Sequence, residues 1–301
     1  MIGYTRSRAT LAHLYCNFRN MAILIADTNV WYEIGEGTRD PGRLKTGGNT
    51  LVAIPTSILE IASPHSEEKR DTWPKRRKAA AAILEHADEI TDDTENHLAV
   101  LWGLHPEDRG TIWHDVCEAV ARSESSEKAL RGVEDQIRKV KISLNVSAIQ
   151  TWREGHWTEF KEDVVNAIEQ HAPGYKLARS EGRYTNLPKE KRAQFAADLH
   201  SPEVRRVFLL SNFARALPSS PGSSASPTDE QIARASMSLA PYLDAYVEYI
   251  HGCATSFAPQ ANDFGDSECF VYLQDQNKLV TREKRWSTIA KQVCPTHYFE
   301  E

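Results

Sequence analysis

The 301-residue chain is poor in several of the features that most quickly assign a function. Nowhere do about 18 apolar residues run together without a charge, so no stretch reads as a membrane-spanning helix. Cysteine is scarce and scattered. The five residues, Cys16, Cys117, Cys253, Cys269 and Cys294, are odd in number and form no CxxC pair. They read as reduced thiols of a cytosolic protein and not as a disulfide framework or zinc knuckle. Histidine is arranged neither as HxH nor as HExxH, so any bound metal is expected on oxygen ligands. Excess positive charge is missing as well: a net charge of −6 excludes an overall basic nucleic-acid coat and leaves only local patches. Candidate patches are Lys75 to Lys78, Lys189 to Arg192, and Arg282 with Lys284 and Arg285. The first two read best as solvated helix faces. No fixed-period repeat is present, which excludes a solenoid.

What remains is globular composition, 41% hydrophobic and 26% charged, in a chain long enough for one large domain or two ordinary ones. Residues 1–20 carry Arg6, Arg8 and Arg19 and no acid. Such a leader has the charge of a transit peptide but lacks the apolar run of a secretory signal, and Met21 directly precedes the first strand-like run. An upstream start codon, or a basic extension that is disordered, is the simpler expectation.

Residues 21–26, Met-Ala-Ile-Leu-Ile-Ala, form a continuous apolar run suited to a parallel strand buried on both faces. Asp27, Thr28 and Asn29 follow with helix-capping side chains, then Val30, Trp31 and Ile34 at helical spacing. A second strand is expected at Thr50 to Ile54, with Pro55 to Ser57 starting a helix that bears Glu60 in its first turn. From Pro64 to Leu217 the pattern is helical throughout, over 77–86, 113–122, 127–142, 158–170 and 189–217, with no clear strand. The tryptophans of this stretch, Trp73, Trp102, Trp113, Trp152 and Trp157, read as packing anchors in preference to base-stacking platforms. Residues 218–228 are a Ser/Pro-rich loop, and a helix over 229–250 is expected to kink or split at Pro241. Asp263 and Asp266 then open a helix, and a last strand, Lys278 to Thr281, runs into Arg282 and Glu283.

Successive strand-to-helix loops of a parallel sheet open on one edge, so Asp27, Glu60, Asp266 and Glu283 are expected to converge there. Carboxylates gathered in that number repel one another unless their pKa values shift or a hard cation neutralises them. Mg²⁺ or Mn²⁺ suits such ligands, and hydrolysis of a phosphodiester suits such a site. At each of these positions the plain alternative is a helix cap or a surface acid.

These residues resemble the PIN-domain family of metal-dependent ribonucleases. The matching motifs are a buried strand ending in Asp27-Thr28-Asn29 and a helix-borne Glu60 after the second strand. The family's third acid opens a helix ahead of a strand ending in Val-Thr, the position of Asp266 relative to Val280 and Thr281. The fourth acid of the family follows as Thr-x-Asp, whereas here Thr281-Arg282-Glu283 stands, one methylene longer. The resemblance covers 21–64 and 259–292. It implies an α/β, PIN-like parallel sheet flanked by helices, residues 259–301 completing the core begun by 21–64, with 65–258 as a large all-helical insertion. It implies Mg²⁺ or Mn²⁺ held by Asp27, Glu60, Asp266 and Glu283, with Asp263 a further ligand or only a loop residue. It makes Thr281 the hydroxyl that orients a carboxylate or water, and Asn29, Arg282, Lys284 and Arg285 contacts for nucleic acid. The implied activity is endonucleolytic cleavage of single-stranded RNA, DNA not being excluded, in a toxin or phage-defence component with an antitoxin or other protein partner, or a homo-oligomer.

Two rivals stand beside it. A phosphatase of the haloacid-dehalogenase type also begins with a strand ending in Asp, but needs a second Asp where this chain has Asn29. A catalytically inactive PIN-like module would instead bind RNA or protein through its helical part.

Overall fold

The computed structural model describes residues 21–62, 72–108, 110–139, 149–171, 173–174, 187–217, 226–260 and 263–300, the side chains of 138–157, 160 and 171 excepted. The N-terminal extension and most of the Ser/Pro-rich loop fall outside these residues.

Four parallel strands build one sheet: β1 (Ile23–Ala26), β2 (Thr50–Ala53), β3 (Glu89–Ile90) and β4 (Lys278–Val280), in the order β3-β2-β1-β4. β1 pairs with β2 from Ile23↔Thr50 to Ala26↔Ala53, and with β4 from Leu24↔Lys278 to Ala26↔Val280. The strand order reverses between β1 and β4, which places the crevice of the sheet at their carboxyl ends.

Alternation of side chains along β1 divides the interior in two. Leu24 and Ala26, with Leu51 and Ala53 of β2, face Val30, Trp31 and Ile34 of α1 (Thr28–Gly35). On the same side lie α2 (Pro41–Leu44), α3 (Pro55–Ala62), α4 (Trp73–His86), α6 (Ile112–Arg122) and α7 (Ser126–Lys139). Ile25, Val52 and Leu279 face the other way. That side is covered by α5 (Thr94–Leu101), α8 (Ile149–His171), α9 (Lys189–Leu199), α10 (Pro202–Ala216), α11 (Asp229–Ser238), α12 (Ala240–Thr255) and α14 (Lys284–Val293). The helices of 65–258 therefore contribute to both covering layers of the sheet, beside α1 to α3 on one side and α14 on the other.

Three expectations need correction. The stretch 65–258 is not all helix, because β3 lies within it at the sheet edge, paired Val52↔Glu89 and Ala53↔Ile90. The single helix expected over 189–217 is two, since Ser201 caps α10 through Val204 N and Pro202 sits in its first turn, where its missing N–H costs nothing. Glu60 lies in the second turn of α3 and not in the first. The split at Pro241 is as expected: α11 ends at Ser238 and α12 begins at Ala240.

Candidate carboxylate site

Asp27 leaves β1 at its carboxyl end, its backbone N–H donating to Val280 O of β4 at 3.1 Å. Its side chain caps α1, Oδ1 accepting from Val30 N at 2.9 Å. Oδ2 accepts from the Thr281 hydroxyl, just past the end of β4. The Thr281 oxygen in turn accepts from Glu283 N at 3.0 Å. One hydroxyl thus ties the first acid to the backbone of the fourth. Asp27 is buried, and burial, with repulsion from Glu60, raises its pKa from 3.8 to about 6 against the hydrogen bonds from Thr281 and Val30.

Glu60 reaches the same edge from α3, where Oε2 accepts from the Thr28 hydroxyl. Asp266 comes from α13 (Asp263–Glu268), packed against α3. Burial, then the charges of Glu60, Asp27, Asp263 and Glu283, drives its carboxyl well above the usual range. The buried thiol of Cys269 registers the same field: burial raises its pKa first, and Asp27, Asp266 and Glu60 raise it further. Glu283 caps α14 through Arg285 N at 3.3 Å. The four acids named from the sequence thus act on one small region at the carboxyl edge of the sheet.

Two other assignments receive a different role. Asp263 and Arg285 belong to each other: Arg285 Nη1 lies 2.6 Å from both Asp263 oxygens. Oδ2 also accepts from the Tyr249 hydroxyl and from Gln260 N, each at 2.5 Å. The Arg285 guanidinium stacks 4.2 Å above the Phe257 ring. With its oxygens so engaged Asp263 serves as a structural carboxylate, and the Arg285 guanidinium is taken up by that pair and by the Phe257 ring. Asn29 and Lys284 are exposed, whereas Arg282 is 60% exposed and pairs with Glu33 at 3.1 Å.

Four residues missed in the sequence complete the surroundings. Thr28 holds Glu60, as above. Gly265 lies so close to Glu60 that a Cβ would stand 2.2 Å from Oε1, so glycine here leaves the Glu60 carboxylate its place beside α13. Arg76, expected on a solvated face, is buried, its Nη1 donating to Glu60 O at 3.4 Å and Ile61 O at 3.3 Å, the last carbonyls of α3. Arg39, only 7% exposed, lowers the Asp27 pKa by its charge. The pairing of glycine with the acid at 265–266 was a usable signal; nothing local marks Arg39 or Arg76.

The donor set is that of a hard cation: carboxylate oxygens, those of Asp27 and Asp266 with raised pKa values that a positive ion would relieve. Among the described residues, however, no group of three or more His, Cys, Asp or Glu side chains is gathered in a metal-holding arrangement. The hydrogen bonds explain the difference. Both Asp27 oxygens and Glu60 Oε2 are turned onto threonine hydroxyls or the α1 N-terminus, so electrostatic proximity is present without convergence of lone pairs. Among the described residues, no helix is long and apolar enough to cross a membrane. Comparison with protein families, with curated proteins and with solved structures finds no match in any of the three. The class defined by fold and site is an α/β protein with a four-stranded parallel sheet, covered by helices, whose carboxyl edge carries clustered acids.

Proposed function

We propose that the chain is a metal-dependent endonuclease of PIN-like architecture that hydrolyses phosphodiester bonds in single-stranded RNA. The observation that carries this reading is the mutual repulsion of Asp27, Glu60, Asp266 and Glu283 at the switch point of the sheet, expressed in the raised pKa of Asp266. Asp27, Glu60 and Asp266 would hold Mg²⁺ or Mn²⁺ through oxygen, with Glu283 at the rim. Such an ion, when bound, supplies Lewis-acid stabilisation of the phosphate and a water of lowered pKa. Thr281 orients the Asp27 carboxylate, Thr28 that of Glu60, and Arg39, Arg282, Lys284 and Asn29 furnish contacts for the backbone phosphates.

A second reading, an inactive PIN-like module that binds RNA or protein through its helices, is favoured by the absence of a gathered ligand set among the described residues. One experiment separates them. Purified chain is incubated with defined single-stranded RNA and DNA in Mn²⁺, in Mg²⁺ and in chelator. Cation-dependent RNA cleavage leaving 5′-phosphate ends, abolished by Asp27→Asn, is the expected result. Chelator-resistant cleavage, or ends carrying 2′,3′-cyclic phosphate, overturns the mechanism, and no cleavage under any condition selects the binding module.

A further inference from the structure

The two outer edges of the sheet end differently. Beside β4 the chain covers its own edge: Phe299 N donates to Leu279 O at 3.0 Å, and Tyr298 forms a parallel bridge with Leu279. β3 has no such cover, and among the described residues its backbone bonds only to β2. Thr91 N donates inward to Ala53 O at 3.0 Å, so Ile90, one residue earlier, turns its N–H and C=O to the outer side. A cavity of about 350 Å³ opens along that edge, walled by the last turn of α4, by β3 and by the first turn of α6. Ile83 and Ile90 make its lining apolar in part. Two further lining residues hold buried polar atoms with no hydrogen-bond partner, Nε1 of Trp113, a residue 4% exposed, and the Thr91 hydroxyl oxygen. An indole N–H only donates, so what Trp113 lacks is an acceptor. The rim is acidic. Glu89 and Asp92 stand exposed there and pair with no cation among the described residues, whereas Asp88 is taken up by Lys45 at 2.7 Å.

We propose that the β3 edge and its cavity dock an extended, lysine- or arginine-bearing segment of a partner polypeptide, which joins the sheet as a fifth strand. An extended main chain meets the demands of the site together: N–H and C=O groups for Ile90, a carbonyl oxygen for the Trp113 indole, and an apolar side chain for the cavity. Its basic side chains answer Glu89 and Asp92. Charge decides between occupants. A second copy of this chain would set Glu89 and Asp92 against their like, and the same acids repel a nucleic-acid backbone. A ladder two residues long contributes few bonds, so affinity rests mainly on the cavity and on the charges at its rim. The assignment uses none of Asp27, Glu60, Asp266 and Glu283, and holds whether or not those acids hydrolyse RNA.

Calorimetric titration of the full chain with acetyl-Lys-Val-Lys-Val-Lys-Val-amide tests it, beside the peptide with glutamate in place of lysine. Saturable binding of the lysine peptide is expected, with the glutamate peptide weaker by about ten-fold or more, since attraction at the rim becomes repulsion. Two further forms of the lysine peptide are N-methylated, one at its lysines and one at its valines. One of the two should lose binding and the other retain it, because only alternate residues of a strand bond the neighbour on a given side. Glu89→Lys, at an exposed position, should weaken the lysine peptide about ten-fold and flatten its salt dependence. Trp113→Phe keeps a ring and removes the N–H; it should weaken binding several-fold, circular dichroism confirming the fold. Absence of saturable binding, equal binding of the glutamate peptide, equal binding of both N-methylated forms, or an unchanged affinity in Glu89→Lys overturns the proposal. A dimer of the chain in sedimentation that excludes the peptide assigns the edge to a second copy and overturns it equally.

Discussion

Asp27 holds a carboxylate where water is nearly absent, and its elevated pKa links the site to stability. Its folded value is about 6 against 3.8, so the protonated form is favoured in the native state. The contribution to stability is fully present below pH 3.8 and is lost as pH rises through about 6, a swing on the order of 3 kcal/mol. In chelator, urea midpoints should therefore fall between pH 4 and 7. Asp27→Asn, which retains a capping oxygen, should flatten that part of the profile. An unchanged pH profile in the variant would show that Asp27 is not the titrating group.

Asp266 makes the companion case. Neutralising it removes repulsion from Glu60, Asp27 and Glu283, so Asp266→Asn should melt higher in chelator. On the proposed metal-binding reading, Mn²⁺ should raise the Tm of the parent and the same change should diminish that rise, because a ligand stabilises through its affinity for the native state. A lower Tm in chelator with the Mn²⁺ response intact would make Asp266 a structural acid. Gly265→Ala probes the approach itself. The group a new methyl meets is the movable end of Glu60, so the chain should fold with a loss of about 1 kcal/mol or less while Glu60 is displaced. Calorimetry should then find weakened Mn²⁺ binding, and undiminished binding would remove Glu60 from the ligand set.

At the scale of elements, α3 hangs on Arg76. A guanidinium buried against the last carbonyls of a helix both satisfies them and answers the negative end of its dipole. Arg76→Ala should cost about 2–4 kcal/mol in urea unfolding, by leaving those carbonyls buried without donors. A loss no larger than that of Arg77→Ala, on the exposed side of α4, would refute the role. This element also marks where the sequence stops being legible. β1 and β2 are readable because apolar runs ending in polar caps have one good interpretation, and the carboxylate order along the chain follows from it. β3 is unreadable, two residues long with Glu89 exposed, and exists only because β2 offers an edge. Arg76 and Arg285 look like surface charges in any local window. Their burial is decided by Glu60 and Ile61 in one case and by Asp263, 22 positions away, in the other. Likewise the break before Pro202 was hidden by helix-forming residues on both sides.

For the whole molecule, the covering helices are part of the interior and not an appendage. Ile25 and Val52 share their cluster with Leu243, Val247, Ile250 and Trp286, while Leu24 and Leu51 share theirs with Ala79, Trp113 and Val116. A chain in which 65–258 are replaced by a short linker would lose β3 and much of the apolar cover on both faces of the sheet, a loss that α1 to α3 and α14 alone cannot offset. It is expected to be insoluble or unfolded by circular dichroism. A soluble, cooperatively melting product would show the sheet to be independent of its helices.

The bond from Thr281 to Asp27 spans 254 positions. During synthesis, at roughly 5–20 residues per second, β1 and β2 leave the ribosome long before β4 does. Until β4 arrives, the β1 edge that will receive it stands open and Asp27 lacks its hydroxyl partner. The acids cannot meet on a growing chain, so a nascent copy lacks the assembled acid edge until β4 joins β1. The same delay leaves an apolar strand edge unprotected for many seconds, the period in which such edges join their neighbours in aggregates. Emergence of β4 thus completes the sheet, covers the open edge of β1 and brings the acid-bearing elements together in one event.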